Sequence, residues 1–166
     1  MKTPDAPFAT GACPCDAVRF AMVSAPYVVH ACHCRDCQRL TGSAFAINAV
    51  IETDRLALLA GTVLPVSHPT PSGRGQTILR CNECQGAVWS HYGSMDEKAA
   101  FVRTGTLDSP ALCAPHVHIY TRTRLPWITL PTGIPAFEAF YGGRDIPLIY
   151  GAEGAARLAA LRARIV

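Results

Sequence analysis

The stretch ACHCRDCQ, residues 31–38, places Cys32, Cys34 and Cys37 within six positions. Two more tight pairs flank it, Cys13-Pro14-Cys15 and Cys81-Asn82-Glu83-Cys84, while Cys113 stands alone. Zinc takes thiolates at about 2.3 Å in a tetrahedron, so its ligands must lie close together along the backbone. A C-x-C segment turns two sulfurs to one side, and C-x₂-C does the same through a tight turn. The compact Cys32, Cys34, Cys37 group cannot divide its sulfurs between distant ions, so all three belong to one metal. Cys13, Cys15, Cys81 and Cys84 are then left for each other. Four ligands close a structural site, whereas three leave a coordination position open for water or substrate. Thiolate spacing alone also admits an iron–sulfur cluster.

Around these groups the chain reads as one mainly β domain. Its 166 residues and 17.8 kDa suit a single core. Apolar residues make up 49% and charged residues 16%, a globular balance. Short apolar stretches recur between turn signals, and several alternate with period two. Val18, Phe20 and Met22 share one face; Ala17, Arg19 and Ala21 share the other. With 13 glycines and 13 prolines spread along the chain, the connections are turns and not crossover helices. Two places read as helix: a turn or two over Asp36–Leu40, and AEGAARLAALRARIV at the C-terminus, where Leu158, Leu161 and Ile165 form an apolar line. That helix can pack on the sheet or on a partner subunit, which admits a homo-oligomer. The divisions expected are an N-terminal tail over 1–10, a zinc-binding β domain over 11–140 and a C-terminal extension over 141–166.

The sequence carries no long apolar run and no signal-peptide pattern at its N-terminus, which points to a soluble cytoplasmic protein without a membrane partner. In that reducing compartment eight cysteines hold metal more readily than disulfides. The formal charge of +3 would vanish with seven thiolates on two Zn²⁺ ions. Arginines are scattered and form no run, which argues against a nucleic-acid partner. Cys113 reads as a small buried hydrophobe rather than a fourth ligand for the open site.

Four segments together resemble the glutathione-dependent formaldehyde-activating family, which includes centromere protein V: GACPCDAVRF, HACHCRDCQRLTGSAF, LRCNECQGAVW and RTGTLDSPALCAPHVHIYTRTRLPW. The resemblance runs from about Gly11 to Phe137. It implies a tent-like fold of several coiled antiparallel sheets built around zinc. It also implies a structural zinc on Cys13, Cys15, Cys81 and Cys84, and a second zinc with an open position on Cys32, Cys34 and Cys37. The implied activity is that of a carbon–sulfur lyase, run as S-hydroxymethylglutathione formation from glutathione and formaldehyde. In that chemistry a thiol entering the open position loses its proton and adds to an aldehyde carbon.

His118 matches the histidine of the family's P-x-x-H-I segment and is the candidate for proton transfer. Strand alternation in HVHIYTRT groups it with His116 and Tyr120 on a face able to meet the metal. Arg39, just past Cys37, is the candidate to pair with a carboxylate of glutathione or a related small thiol. The family usually has glycine after the second cysteine of its first and last groups, where this chain has Asp16 and Gln85. Gln tolerates the positive φ of such a turn poorly, so the Cys84 turn is expected to differ, with Gly86 as its alternative pivot. The competing reading is a non-catalytic zinc-binding module that meets a protein or nucleic acid.

Overall fold

The computed structural model describes residues 6–165; residues 1–5 of the stretch read as a tail, and the last residue of the C-terminal extension, lie outside them. The strands are β1 (Ala9–Ala12), β2 (Arg19–Met22), β3 (Val28–Cys32), β4 (Ala46–Glu52), β5 (Leu56–Ala60), β6 (Val63–His68), β7 (Gln76–Cys81), β8 (Ala87–Tyr92), β9 (Ala99–Arg103) and β10 (Val117–Ile119). Two α-helices join them, α1 (Arg35–Thr41) and α2 (Ile146–Arg162). The fold is mainly β with a C-terminal helix, as the sequence led us to expect.

The strands form two sheets, one ordered β1-β2-β5 and one ordered β10-β3-β4-β9-β8-β7-β6. Neighbours run antiparallel except β10, which lies parallel to β3. At the β3–β4 centre of the larger sheet both faces are covered, and β3 is accordingly buried along its whole length. Val29, Ala49, Ile51 and Val102 point to one side, where they meet Phe20 and Met22 of the small sheet. Val28, Cys32 and Val50 point to the other, where they meet Ile149, Leu158 and Leu161 of α2.

Helix α2 extends further toward the N-terminus than the Ala-rich segment suggested, because a first turn from Ile146 is joined to it through a kink. Gly151 makes that kink with φ 65° and ψ 177°, a conformation that side chains with a Cβ rarely adopt. The helix is fixed to β4 by a forked ion pair. Arg157 donates from Nε to Glu52 Oε1 at 2.9 Å and from Nη2 to Oε2 at 2.5 Å, and both side chains are largely buried. Among the described residues no helix is long and apolar enough to cross a membrane.

Candidate metal centre

The sulfurs of Cys13, Cys15, Cys81 and Cys84 all lie within 4.8 Å of one another, and so do those of Cys32, Cys34 and Cys37. The partition drawn from spacing is therefore the one the fold makes. Sulfur–metal bonds of about 2.3 Å in a tetrahedron require sulfur–sulfur separations of roughly 3.8 Å. Cys13 and Cys15 stand 3.5 Å apart, and Cys15 and Cys81 3.9 Å. Both sets could hold metal by this measure, and all eight cysteines are free thiols.

The four-thiol set joins two turns of the same design. Cys13 N donates to Val18 O at 3.1 Å and Asp16 N to Cys13 O at 3.0 Å; Cys81 N donates to Gly86 O at 3.0 Å and Gln85 N to Cys81 O at 3.0 Å. Asp16 and Gln85 both take φ 60°, so Gln85 accepts the left-handed conformation that the sequence reading assigned to Gly86. Its side chain stabilises that turn, donating from Nε2 to Asn82 O at 3.0 Å. Gly86 serves a different need: a Cβ there would lie 2.6 Å from Pro14 Cδ and 3.3 Å from Cys84 Sγ, so the two turns could not approach. Backbone N–H groups also reach the sulfurs, from Val18 to Cys13 and from Glu83 to Cys81, each at 3.3 Å. Burial alone would raise the Cys13 thiol, yet the N–H groups of Val18 and Cys15 and the neighbouring sulfurs of Cys15 and Cys81 bring it down to about 6. Thiolate character is what a metal ligand needs.

The three-thiol set sits where β3 runs into α1. Cys32 ends β3 and pairs in register with Ala46 of β4. Cys34 is the N-cap of α1, its sulfur accepting from Cys37 N at 3.3 Å, and Cys37 lies one turn in. The connecting loop is pinned from the far side. Gln38 donates from Nε2 to His33 O at 2.7 Å and to Thr123 O at 2.9 Å, while Thr123 Oγ1 donates to His33 O at 2.9 Å. Cys32 and Cys37 are buried and Cys34 is half-buried, so the set opens at Cys34. Hydrogen bonds from the Cys32 and Cys37 thiols hold the Cys34 thiol far below its ordinary value, against the opposing effect of burial.

The histidine expected to face this set does not do so directly. In the parallel register His118 pairs with Ala31 and Ile119 with Cys32, so the Ile119 side of β10 shares the thiol face and the His118 side is opposite. Nδ1 of His118 instead lies 2.9 Å from Nε2 of His33, the residue between two of the thiols. Tyr120 escapes the alternation, because its backbone turns left-handed at φ 56°, and it packs half-buried against the core cluster that holds Cys32 and Cys37. Burial, and then the charge of the three thiols, pushes its phenol pKa up. Tyr92 is raised by burial first and also by the same thiols.

Arg39 is exposed on the last turn of α1 and lines an open cavity of about 640 Å³ with Arg35, Leu125 and Trp127. Cys113 packs in the core between the sheets and belongs to neither thiol set, as a small apolar residue does. Arg103, Tyr92 and Gln38 gave no signal in the sequence, because nothing local marks a residue that reaches a site through sheet register.

The family model described as glutathione-dependent formaldehyde-activating enzyme matches residues 8–123. No curated protein matches the chain. Among solved structures, a crystal structure of a Rhodobacter sphaeroides protein from a structural-genomics programme aligns with a TM-score of 0.45 at 16% identity, over 77% of this chain and 98% of that one. With both cysteine sets inside the matched span, the chain belongs to the glutathione-dependent formaldehyde-activating family.

Proposed function

We propose that the protein is a zinc-dependent enzyme of the carbon–sulfur lyase type that acts on glutathione or an adduct of a related small thiol in the cytoplasm. S-hydroxymethylglutathione formation from glutathione and formaldehyde is its leading instance. In that reaction a sulfur–carbon bond forms, the carbonyl π bond breaks, and the thiol proton ends on the new hydroxyl oxygen. The carrying observation is the contrast between a closed set of four thiols and a set of three that gathers no fourth cysteine among the described residues. Cys13, Cys15, Cys81 and Cys84 would hold one zinc for the fold; Cys32, Cys34 and Cys37 would hold the other. Bound there, zinc supplies a Lewis-acid position that makes an incoming thiol more acidic.

The chain's own groups supply the rest. Cys34, the least buried of the three, marks the side from which a ligand approaches. Arg39 offers a guanidinium fork at the rim of the neighbouring cavity, where a carboxylate of the ligand can pair with it. In this reading His118 is a positioning residue, since its Nδ1 bonds to the imidazole of His33 and so steadies the backbone between Cys32 and Cys34.

Metal analysis with zinc-edge absorption tests the reading. Two zincs per chain are expected, one with four sulfurs and one with three sulfurs and a lighter atom. Small thiols should then perturb the visible absorption of the cobalt-substituted protein. Four sulfurs around both ions, with no response to thiols at millimolar concentration, would favour the non-catalytic module instead.

A further inference from the structure

A second cavity, of about 560 Å³, opens at the end of the large sheet where β4 and β8 begin and β7 and β9 end. It adjoins both cysteine sets. Arg80 on its wall precedes Cys81, and Leu40 and Thr41 follow Cys37 by one turn of α1, with Thr41 Oγ1 donating to Cys37 O at 2.7 Å. Ala46, also on the wall, is the register partner of Cys32. Residues of its wall thus neighbour the three-thiol set along α1 and across the β3–β4 pair.

Its charge is one-sided. Arg80 and Arg103 line it together with Thr41, Ser43 and Thr104, and no acidic residue does. Arg103 is 9% exposed, and its Nη1 donates to the neutral Asn48 Oδ1 at 2.6 Å. Arg80 donates to a backbone carbonyl, Gln85 O, at 2.8 Å. A guanidinium keeps its charge at any ordinary pH; that of Arg103 favours the thiolate of Cys37, and among the described residues no carboxylate pairs with either arginine. Two such forks beside three hydroxyl groups suit a carboxylate, which each can bind in bidentate fashion.

We propose that this cavity seats a carboxylate of the thiol ligand between Arg80 and Arg103, with the sulfur end of that ligand toward Cys32, Cys34 and Cys37. The inference rests on the enzyme reading for the identity of the sulfur end, and on the cavity alone for the carboxylate end. Arg103 selects by charge from within the protein, whereas Arg39 acts at the exposed rim.

Calorimetric titration of the zinc-loaded full chain separates the two ends of the ligand. S-methylglutathione keeps both carboxylates and has no free thiol; cysteamine has the thiol and no carboxylate. S-methylglutathione is expected to bind, and Arg80→Gln and Arg103→Gln each to weaken it at least tenfold, with Arg103→Lys recovering part of the loss. Arg74→Gln, on an exposed loop, should change nothing. Should Arg103→Gln fail to fold, the half-buried Arg80 carries the comparison. Folded Arg80→Gln protein binding S-methylglutathione within twofold of wild type would overturn the proposal. So would an Arg103→Gln protein that loses a metal while keeping its affinity for S-methylglutathione, since Arg103 would then only offset thiolate charge. If cysteamine still shifts the cobalt absorption in such a protein, the enzyme reading stands and the carboxylate seat alone falls. If S-methylglutathione binding depends on Arg80 while no thiol shifts that absorption, the seat stands and the enzyme reading falls.

Discussion

Nε2 of His33 and Nδ1 of His118 share a hydrogen bond of 2.9 Å between stacked rings whose planes differ by 29°. Both residues are buried, and the outer nitrogens, Nδ1 of His33 and Nε2 of His118, have no partner among the described residues. One proton lies between the rings, donated by whichever nitrogen carries it. Replacing His118 by Ala leaves a buried nitrogen of His33 without a partner, a loss of about 1–3 kcal/mol. The expected outcome is a folded protein with a lower melting temperature and weaker retention of the second metal. Equilibrium unfolding and metal analysis after mild chelation check both, and His118→Gln should recover part of the stability.

Acid should weaken the fold earlier than carboxylate titration alone would make it do. Burial is the first cause that depresses His30, to about 3, and His33, to about 4, while the unfolded chain protonates them near 6.5. Between those values the unfolded state binds more protons, so stability is fully present above pH 6.5 and falls as pH drops toward 4. Urea unfolding at a series of pH values, with zinc in excess, measures that slope. In His30→Gln, which can keep a bond to the Tyr141 hydroxyl, the slope should be shallower.

Gly86→Ala tests the approach of the two cysteine-bearing turns. Its Cβ would come within 2.6 Å of Pro14, and overpacking of this kind costs about 1–3 kcal/mol. A drop in melting temperature and in zinc retention is expected, whereas Gly105→Ala, whose Cβ meets nothing within 4 Å, should behave as wild type.

Cys81→Ser should do more damage than Cys84→Ser. Cys81 is fully buried and Cys84 is exposed, although both belong to the set that ties the N-terminal strand to the β7–β8 hairpin. Soluble yield and cooperative melting are the measurements, and a cooperatively melting Cys81→Ser protein with two zincs would contradict the assignment.

Arg157→Ala leaves Glu52 as a buried carboxylate without its fork. A loss of about 3 kcal/mol is expected by denaturant unfolding. The carboxyl of Glu52, which burial would raise, is held below its usual range by Arg157, so this contribution is present above about pH 4.5 and fades in stronger acid.

Local chemistry carried most of what could be read beforehand. The partition of seven thiols followed from backbone reach, and the alternation of Val18, Phe20 and Met22 marked a strand whose Phe20 and Met22 are wholly buried. What stayed hidden depends on partners distant in the chain. Alternation in β10 says that His118 and Ile119 face opposite ways, but only the parallel register with β3 says which of them shares the face of Cys32. Tyr120 was misplaced because a single left-handed residue ends the alternation, and nothing about a tyrosine announces that backbone. Gln85 was misjudged for the same reason, since the bond its side chain makes to Asn82 O is visible only once the turn exists.

The two cysteine sets differ greatly in the span of chain each one encloses. Cys32, Cys34 and Cys37 are near neighbours along the chain, whereas Cys15 and Cys81 are separated by 66 residues. Drawing the longer loop together costs about 2 kcal/mol more in chain entropy. The short set can therefore capture metal from a nascent or unfolded chain, while the long set must wait for β1, β2 and the β7–β8 hairpin to meet. With zinc in both sets, as proposed, the spacing sets an order of loading: the ion on the three thiols would come first and exchange readily, and the ion on the four would come last and be held until the two turns separate. Exchange of isotopically labelled zinc into the native protein should accordingly be biphasic, with the slow phase matching the unfolding rate.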